Sequence, residues 1–157
     1  MTAMPGVGAK APDFHLERDG GGMAALADFA GRKLVLYFYP KDDTSGCTTE
    51  AIEFSALHRE FEKAGAAVVG VSPDSAKKHD KFKLKHDLSV ALLADESKAT
   101  LEAYGVWKEK SMYGRKYMGV ERTTFLIDGT GVIREIWNKV KVAGHAKAVL
   151  ERAKAKA

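Results

Sequence analysis

Cysteine is almost absent from this chain, since Cys47 is the single one among 157 residues. One thiol excludes an intramolecular disulfide, a four-cysteine zinc site and a two-cysteine redox motif within one chain. Three roles remain for Cys47. It is a small buried apolar side chain, a metal ligand among histidines, or a reactive group whose partner comes from another molecule.

Long apolar runs are also missing. No stretch approaches the roughly 18 apolar residues that a membrane-spanning helix needs. Residues 1–10 contain no apolar run after a positive region, which a secretory signal requires. Because no internal disulfide is available either, we expect a protein of the reducing cytoplasm.

A strong charge excess is lacking as well. The 25 basic and 21 acidic residues give a net charge of +4, which permits an anionic partner without requiring one. The composition, with 45% hydrophobic and 29% charged residues, is close to the globular average. The length fits one domain, which we assign to residues 1–157.

Strand and helix patterns alternate along the chain. Apolar runs without polar alternation predict buried strands at 34–39 and 66–71, and a shorter strand at 91–93. Short extended segments at 14–17 and 23–26 flank a glycine turn, and 123–137 reads as a hairpin. Amphipathic spacing predicts helices at 46–63, 73–86, 97–103 and from Val142 onwards. This order indicates an α/β protein with a central mixed β-sheet flanked by helices on both faces.

Cys47 follows the turn after the first buried strand and opens the longest amphipathic helix. The free N–H groups and partial positive charge at a helix N-terminus favour a thiolate, so we expect its pKa to lie below the free value of about 8.5. The shared face of Cys47, Ala51 and Phe54 turns the sulfur inward and leaves it partly exposed. Glu50, three residues further on, opposes a thiolate unless a cation from another segment holds its carboxylate.

Basic and histidine residues leave other functions open. The stretch 77–86 is either a nucleic-acid surface or the solvated face of a helix, with Phe82 and Leu84 or Leu88 packed inward. His79 and His86 are too far apart along a helix to share a metal ion. A cysteine–histidine hydrolase needs a histidine brought to Cys47 by the fold. A binding module would leave Cys47 without a catalytic role.

The segment around Cys47 resembles the active-site signature of peroxiredoxins. That signature is a proline, then a threonine or serine, then the peroxide-reactive cysteine three positions later; residues 40–50 read PKDDTSGCTTE. The form is similar to that of the peroxiredoxin Q, or bacterioferritin comigratory protein, subfamily. Further segments of the same pattern follow in order: VGAKAPDF at 7–14, VGVSPDS at 69–75, AD at 94–95, YGVW at 104–107 and ERTTFLID at 121–128.

This resemblance implies a thioredoxin-like fold and a thiol-dependent peroxidase without a cofactor or a metal. Cys47 would be the peroxidatic nucleophile that becomes a sulfenic acid. Arg122 would stabilise the thiolate and the charge that develops on the peroxide oxygens, and Glu50 would hold that arginine. Thr44 would hydrogen-bond the thiolate or peroxide, and Pro40 would shield the sulfur from water.

A resolving cysteine is missing from this pattern. Many members of the subfamily carry one five residues after the first or in the following helix, where this chain has Ile52 and, approximately, Lys83. The substitutions imply a one-cysteine enzyme that reduces hydrogen peroxide and organic hydroperoxides in antioxidant defence. Its sulfenic acid would be reduced by an external thiol, namely glutathione, glutaredoxin or thioredoxin. We expect a monomer, with neither a nucleic acid nor a membrane as a partner.

Overall fold

The computed structural model describes residues 3–155. The strands are β1 (His15–Arg18), β2 (Met23–Ala25), β3 (Lys33–Phe38), β4 (Ala66–Ser72), β5 (Ala91–Ala94), β6 (Trp107–Met112), β7 (Arg115–Val120), β8 (Thr123–Ile127) and β9 (Ile133–Trp137). The helices are α1 (Ser45–Ala56), α2 (His58–Lys63), α3 (Ala76–His86), α4 (Ala99–Ala103) and α5 (His145–Lys154), with a short 3-10 helix at Leu26–Phe29. Within residues 3–155, each helix is either too short or too polar to span a bilayer.

Seven strands form one mixed sheet in the order β2-β1-β5-β4-β3-β8-β9. The central strands β3, β4 and β5 run parallel to one another, and β8 pairs antiparallel with β3 and with β9. Parallel strands need a crossover connection, and helices supply it here between β3, β4 and β5. The predicted mixed sheet is confirmed.

Burial of both faces of β3 explains why its sequence shows no alternation of polar and apolar residues. Val35 and Tyr37 join the core that also contains residues of α1, α2, α3 and α5, whereas Leu36 and Phe38 join the core against α4 and the ends of β6 and β7. Successive side chains of a strand point to opposite faces, so both sets must be apolar when both faces are covered. The C-terminal end of this buried strand leads into the loop that precedes Cys47.

The predicted helix 46–63 is wrong in its length, because the chain forms two helices. Leu57 separates α1 from α2 with φ −98° and ψ 11°, and its N–H bonds to the carbonyl of Phe54 at 3.2 Å. Phe54, Leu57 and Phe61 nevertheless pack in the same core. The apolar spacing therefore continues across the break and cannot reveal it. Phe82 of α3 and Leu88, two residues after the end of α3, pack inward, whereas Leu84 of α3 is 87% exposed.

A two-stranded hairpin, β6–β7, was not predicted. Its turn at Tyr113 and Gly114 has φ values of 50° and 78°, as in a type I′ turn. Most of its side chains are polar or exposed, so the sequence between the paired ends Trp107 and Val120 lacks an apolar stripe. The hairpin returns the chain to β8 through Glu121, whose N–H bonds to the carbonyl of Val106 at 2.8 Å.

Candidate active site

Cys47 lies in the first turn of α1, after the loop that leaves β3. Thr44 is the N-cap residue, and its carbonyl accepts the first helical hydrogen bond, from the N–H of Thr48 at 2.8 Å. The N–H groups that precede Thr48 have no partner within the helix, so the N-terminal end favours a negative charge. Cys47 is only 1% exposed, which is more buried than we expected.

Arg122 supplies the cation that the sequence required. It lies between β7 and β8, where its carbonyl accepts the N–H of Val140 at 2.9 Å. Its Nη2 donates to Sγ of Cys47 at 3.2 Å, although 75 positions separate the two residues. Burial works against the charge of Arg122, but the negative neighbours Glu50 and Cys47 outweigh it and raise the pKa of the guanidinium.

Glu50 holds the other arm of the same guanidinium. Nη1 of Arg122 donates to Oε1 of Glu50 at 2.6 Å, and Glu50 is 1% exposed. Burial raises the pKa of Glu50 to about 7, against the opposing effect of Arg122 and with a further rise from the charge of Glu53. The structure therefore brings Cys47, Glu50 and Arg122 together as the sequence resemblance implied.

Within residues 3–155, no hydrogen bond joins Thr44 to the sulfur, and Pro40 has no N–H to donate. The hydroxyl of Thr44 donates to the carbonyl of Lys41 at 2.9 Å, so its single proton is engaged within the loop. Pro40 is half-buried and lines a surface cleft with Lys41, Pro73 and Ser75. The roles of Thr44 and Pro40 in the reaction stay predictions.

A buried ion pair anchors the loop that carries these residues. Asp42 binds Nδ1 of His79 at 2.6 Å, while Nε2 of His79 faces the carbonyl of Leu93 at 2.8 Å. Both ring nitrogens thus face acceptors, and the ring satisfies both only when it carries two protons. Burial lowers the pKa of His79, but its hydrogen bond with Asp42 and the charge of that group outweigh the effect and raise it. The sequence pattern placed His79 in the basic stretch 77–86 and too far from His86 to share a metal ion, and it gave no sign of this ion pair.

Two further titratable groups lie close enough to act on the site. Lys110 of β6 is half-buried, and its pKa is lowered by burial and by the charge of Arg122, with Cys47 among the groups that oppose the shift. His145 begins α5 and pairs with the hydroxyl of Thr124 at 2.8 Å. Burial and Arg122 lower its pKa to about 4. Lys110 had no sequence signal, because the hairpin that carries it was not predicted.

The two positions that lack a resolving thiol have different surroundings. Ile52 is 44% exposed on α1. Lys83 of α3 donates from Nζ to Asp19 at 2.7 Å, and Asp19 also accepts the N–H of Leu92 at 2.8 Å. Lys83 thus ties α3 to the turn between β1 and β2, which gives this lysine a structural role.

The chain matches a known protein family over most of its length. The model of the AhpC/TSA family matches residues 7–136. The chain belongs to the AhpC/TSA family. Peroxiredoxin Bcp of Bacillus subtilis is 49% identical over 148 residues, 94% of each chain, and peroxiredoxin Bcp of Xanthomonas campestris is 50% identical over 145 residues, 92% of this chain and 91% of that one. This membership confirms the resemblance to peroxiredoxins, which are thiol peroxidases.

Solved structures of AhpC/TSA relatives agree with the fold. A peroxiredoxin Q of Xanthomonas campestris superimposes with a TM-score of 0.89 at 47% identity, covering 98% of each chain. The thioredoxin-like fold is therefore confirmed. Two structures of that protein carry serine at one or the other of two cysteines, whose separation along the chain equals that of Cys47 and Lys83. The bacterioferritin comigratory protein of the same organism is described by its alkyl peroxide reduction activity.

Proposed function

We propose that this chain reduces hydrogen peroxide and organic hydroperoxides with Cys47 as the nucleophile. The observation that carries the proposal is the position of Arg122, which donates one N–H to the Cys47 sulfur and another to Glu50. A cation held on one side by a carboxylate and directed at a buried thiol favours the thiolate, which is the reactive form. The alkyl peroxide reduction described for the Xanthomonas campestris relative supports organic hydroperoxides as substrates.

The chemistry follows from this arrangement. The Cys47 thiolate attacks one peroxide oxygen, an S–O bond forms, and the O–O bond breaks with its electron pair on the leaving oxygen. The leaving alkoxide or hydroxide takes up a proton and departs as alcohol or water, while Cys47 remains as a sulfenic acid. Arg122 stabilises the negative charge that shifts from sulfur to the leaving oxygen. Thr44 and Pro40 would complete the site by binding the peroxide and limiting access of water.

Regeneration of Cys47 needs a thiol from another molecule, because neither Ile52 nor Lys83 offers one. The external thiol condenses with the sulfenic acid to give a mixed disulfide and water, and a second thiol then releases Cys47. Glutathione, glutaredoxin or thioredoxin can fill this role for a monomer in the cytoplasm. Because Cys47 is 1% exposed, the first turn of α1 has to open before a protein thiol can reach the sulfur.

Peroxide consumption, measured separately with glutathione plus glutaredoxin and with thioredoxin, tests this proposal. We expect turnover with at least one system and none after Cys47→Ser. Mass spectrometry after one equivalent of peroxide should find one added oxygen on the wild-type chain. Turnover by Cys47→Ser would refute the assignment, and failure of every thiol system despite sulfenic acid formation would refute only the recycling route.

A further inference from the structure

Asp42 ties the loop that precedes Cys47, residues 39–46, to the rest of the fold. Tyr39, directly after β3, donates from its hydroxyl to Oδ1 of Asp42 at 2.5 Å, and Nδ1 of His79 lies 2.6 Å from Oδ2. The N–H of Asp42 donates to Oδ2 of Asp74 at 2.8 Å. All four residues are buried, so a lost contact leaves a buried polar group without its partner, which is costly.

His79 lies on α3 and connects the Cys47 loop to the sheet. Its Nε2 is 2.8 Å from the carbonyl of Leu93 in β5, and a carbonyl only accepts, so Nε2 carries a proton. Nδ1 faces the carboxylate of Asp42. With a proton on Nδ1 as well, the imidazolium donates to both acceptors, and its charge balances that of Asp42. Without that proton, the lone pair of Nδ1 faces a negative oxygen, and the contact becomes repulsive.

The position of Asp42 affects Cys47 through a short hydrogen-bonded segment. The hydroxyl of Thr44 donates to the carbonyl of Lys41 at 2.9 Å, and the carbonyl of Thr44 accepts the N–H of Thr48 at 2.8 Å as α1 begins. The loop and the first turn of α1 are therefore one connected unit. Release of Asp42 from His79 loosens the segment that holds Cys47 buried beside Arg122.

We propose that charged His79 is a positioning residue that holds the Cys47 loop closed through Asp42, and that loss of its Nδ1 proton to water favours opening of the loop. The closed loop presents Cys47 to Arg122 for attack on peroxide. The open loop exposes the sulfenic acid to the thiol of a bulky reductant. This inference rests on the proposed function, with Cys47 as nucleophile and an external thiol as reductant.

The groups that face His79 determine the direction of the pH effect. They are Tyr39 and Asp42 in the loop, Asp74 after β4, and the carbonyl of Leu93. Burial lowers the pKa of His79, but its hydrogen bond with Asp42 and the charges of Asp42 and Asp74 outweigh the effect and raise it above 6.5. An open loop removes the contact with Asp42. Opening therefore becomes easier as the pH rises from about 6.5 through the folded-state pKa.

Hydrogen exchange of backbone amides, followed by NMR on the full chain, measures loop opening without a peroxidase assay. The reporter is the N–H of Thr48, because its bond to Thr44 must break before it exchanges. After correction for the intrinsic effect of pH on exchange, we expect its protection to fall about tenfold between pH 6 and pH 9. Cys47→Ser should show the same fall. Low urea concentrations should change the protection little, because the opening is local.

Two variants assign this fall to His79. His79→Gln should show at pH 6 the low protection that the wild type reaches at pH 9, with no further effect of pH. In Asp42→Asn, the new amide donates to neutral Nδ1 while its carbonyl accepts from Tyr39, so protection should stay high from pH 7 to pH 9. His86→Gln is the matched control, because His86 binds Asp43 of the same loop at 2.8 Å, where the carboxylate is 44% exposed. It should keep the wild-type fall.

Three results of the exchange experiment would overturn the proposal. The first is a wild-type protection that does not fall with pH. The second is a fall that persists in His79→Gln or in Asp42→Asn, because another group, such as Glu50 with its pKa of about 7, would then cause it. The third is exchange of the Thr48 amide that depends on urea as global unfolding does.

Single-turnover kinetics relates the opening to the reaction. At pH 6, His79→Gln should form sulfenic acid several-fold more slowly, because the open loop withdraws Cys47 from Arg122. Its sulfenic acid should react several-fold faster with thionitrobenzoate, a bulky aromatic thiol whose colour is lost in the reaction. Two rates that fall together, or that both stay unchanged, contradict the proposal. If Cys47 is not the nucleophile, no variant forms sulfenic acid while the exchange results remain, so the two proposals fail in different ways.

Discussion

The space that a side chain at Gly46 would need is taken up by the guanidinium group of Arg122. A Cβ atom at position 46 would stand 3.2 Å from Nη2, the nitrogen that donates to Cys47. Real Cβ contacts are rarely that close, so a side chain here requires the Arg122 guanidinium to shift by a few tenths of an ångström. Gly46 thus allows the arginine to approach the sulfur, which gives this glycine a function within the first turn of α1.

Gly46→Ala should therefore slow sulfenic acid formation without destabilising the fold. Alanine is favoured over glycine within a helix by about 1 kcal/mol, so the thermal unfolding midpoint should stay or rise. Stopped-flow measurement of the reaction with hydrogen peroxide and a thermal unfolding curve check the two effects together. Gly6→Ala is the matched control, because its Cβ would meet no atom within 4 Å. An unchanged rate in Gly46→Ala would show that Arg122 accommodates the methyl group.

Arg122→Lys tests whether rapid sulfenic acid formation needs two directed N–H groups at position 122. A lysine keeps the positive charge but cannot bind Cys47 and Glu50 through a planar guanidinium. We expect the rate of sulfenic acid formation to fall by roughly 10²–10³-fold, the usual cost of losing one directed donor at a reacting oxygen. Rapid-mixing kinetics over a range of pH gives the measurement, and Arg122→Ala should change the pH–rate profile as well as the rate.

Arg152→Lys serves as the control for this substitution. Arg152 forms an exposed pair with Glu135 at 3.0 Å, on the solvent-facing side of α5. The Arg152→Lys variant should form sulfenic acid at the wild-type rate. A similar loss in both variants would indicate a general effect of replacing arginine, and an unchanged pH–rate profile in Arg122→Ala would remove Arg122 from the site.

His79→Gln should destabilise the chain most at low pH. The fold raises the pKa of His79 above its ordinary value of 6.5, so the stability from its charge is fully present below pH 6.5 and is lost as the pH rises through the folded-state pKa. Removing one partner of a buried ion pair costs about 3 kcal/mol, and we expect that loss at pH 6. Urea unfolding at several pH values measures the difference from the wild type.

The comparison for His79 is His58→Gln. His58 pairs with Glu62 at 2.6 Å on the surface, and it is 45% exposed in its side chain, so its removal should matter little. A stability difference between wild type and His79→Gln that is equal at pH 6 and at pH 9 would show that His79 is not charged in the folded chain.

Lys83→Cys should give the chain an internal route for reducing its sulfenic acid. The position matches the second cysteine implied by the Xanthomonas campestris variants in its separation from Cys47. We expect an intramolecular disulfide after one equivalent of peroxide, seen as loss of both free thiols. The substitution also removes the contact with Asp19 at 2.7 Å, so a lower unfolding midpoint is expected. Lys81→Cys, exposed on α3, should keep its free thiol, and disulfide formation in both variants would argue against a positional effect.

Much of the fold was predictable because burial determines where apolar residues stand in the sequence. The runs at 34–39 and 66–71 lack polar residues since both faces of the sheet are covered, and the structure has β3 and β4 there. The break between α1 and α2 at Leu57 was not predictable, because the apolar spacing continues through it. Hairpin β6–β7 was missed because most of its side chains face solvent, so its pairing is specified by backbone hydrogen bonds and the turn at Tyr113 and Gly114.

The candidate site was also predictable only in part. Cys47, Glu50 and Arg122 were found by their resemblance to a family pattern, and the structure joins them through two hydrogen bonds. The hydroxyl of Thr44 instead bonds to Lys41. The effect of Glu53, whose charge adds to the rise in the pKa of Glu50, had no signal in the sequence, since a helical pattern does not tell which glutamates lie near a buried group.

The sequence by itself determined that the chain has one thiol, that this thiol opens a helix, and that no second thiol stands at Ile52 or Lys83. These properties depend on residue identity and local spacing. Only the tertiary structure decided that Arg122 reaches Cys47 across 75 positions and that burial raises the pKa of Glu50 to about 7. Hydrogen bonding and desolvation depend on distances through space, which the order of residues does not contain.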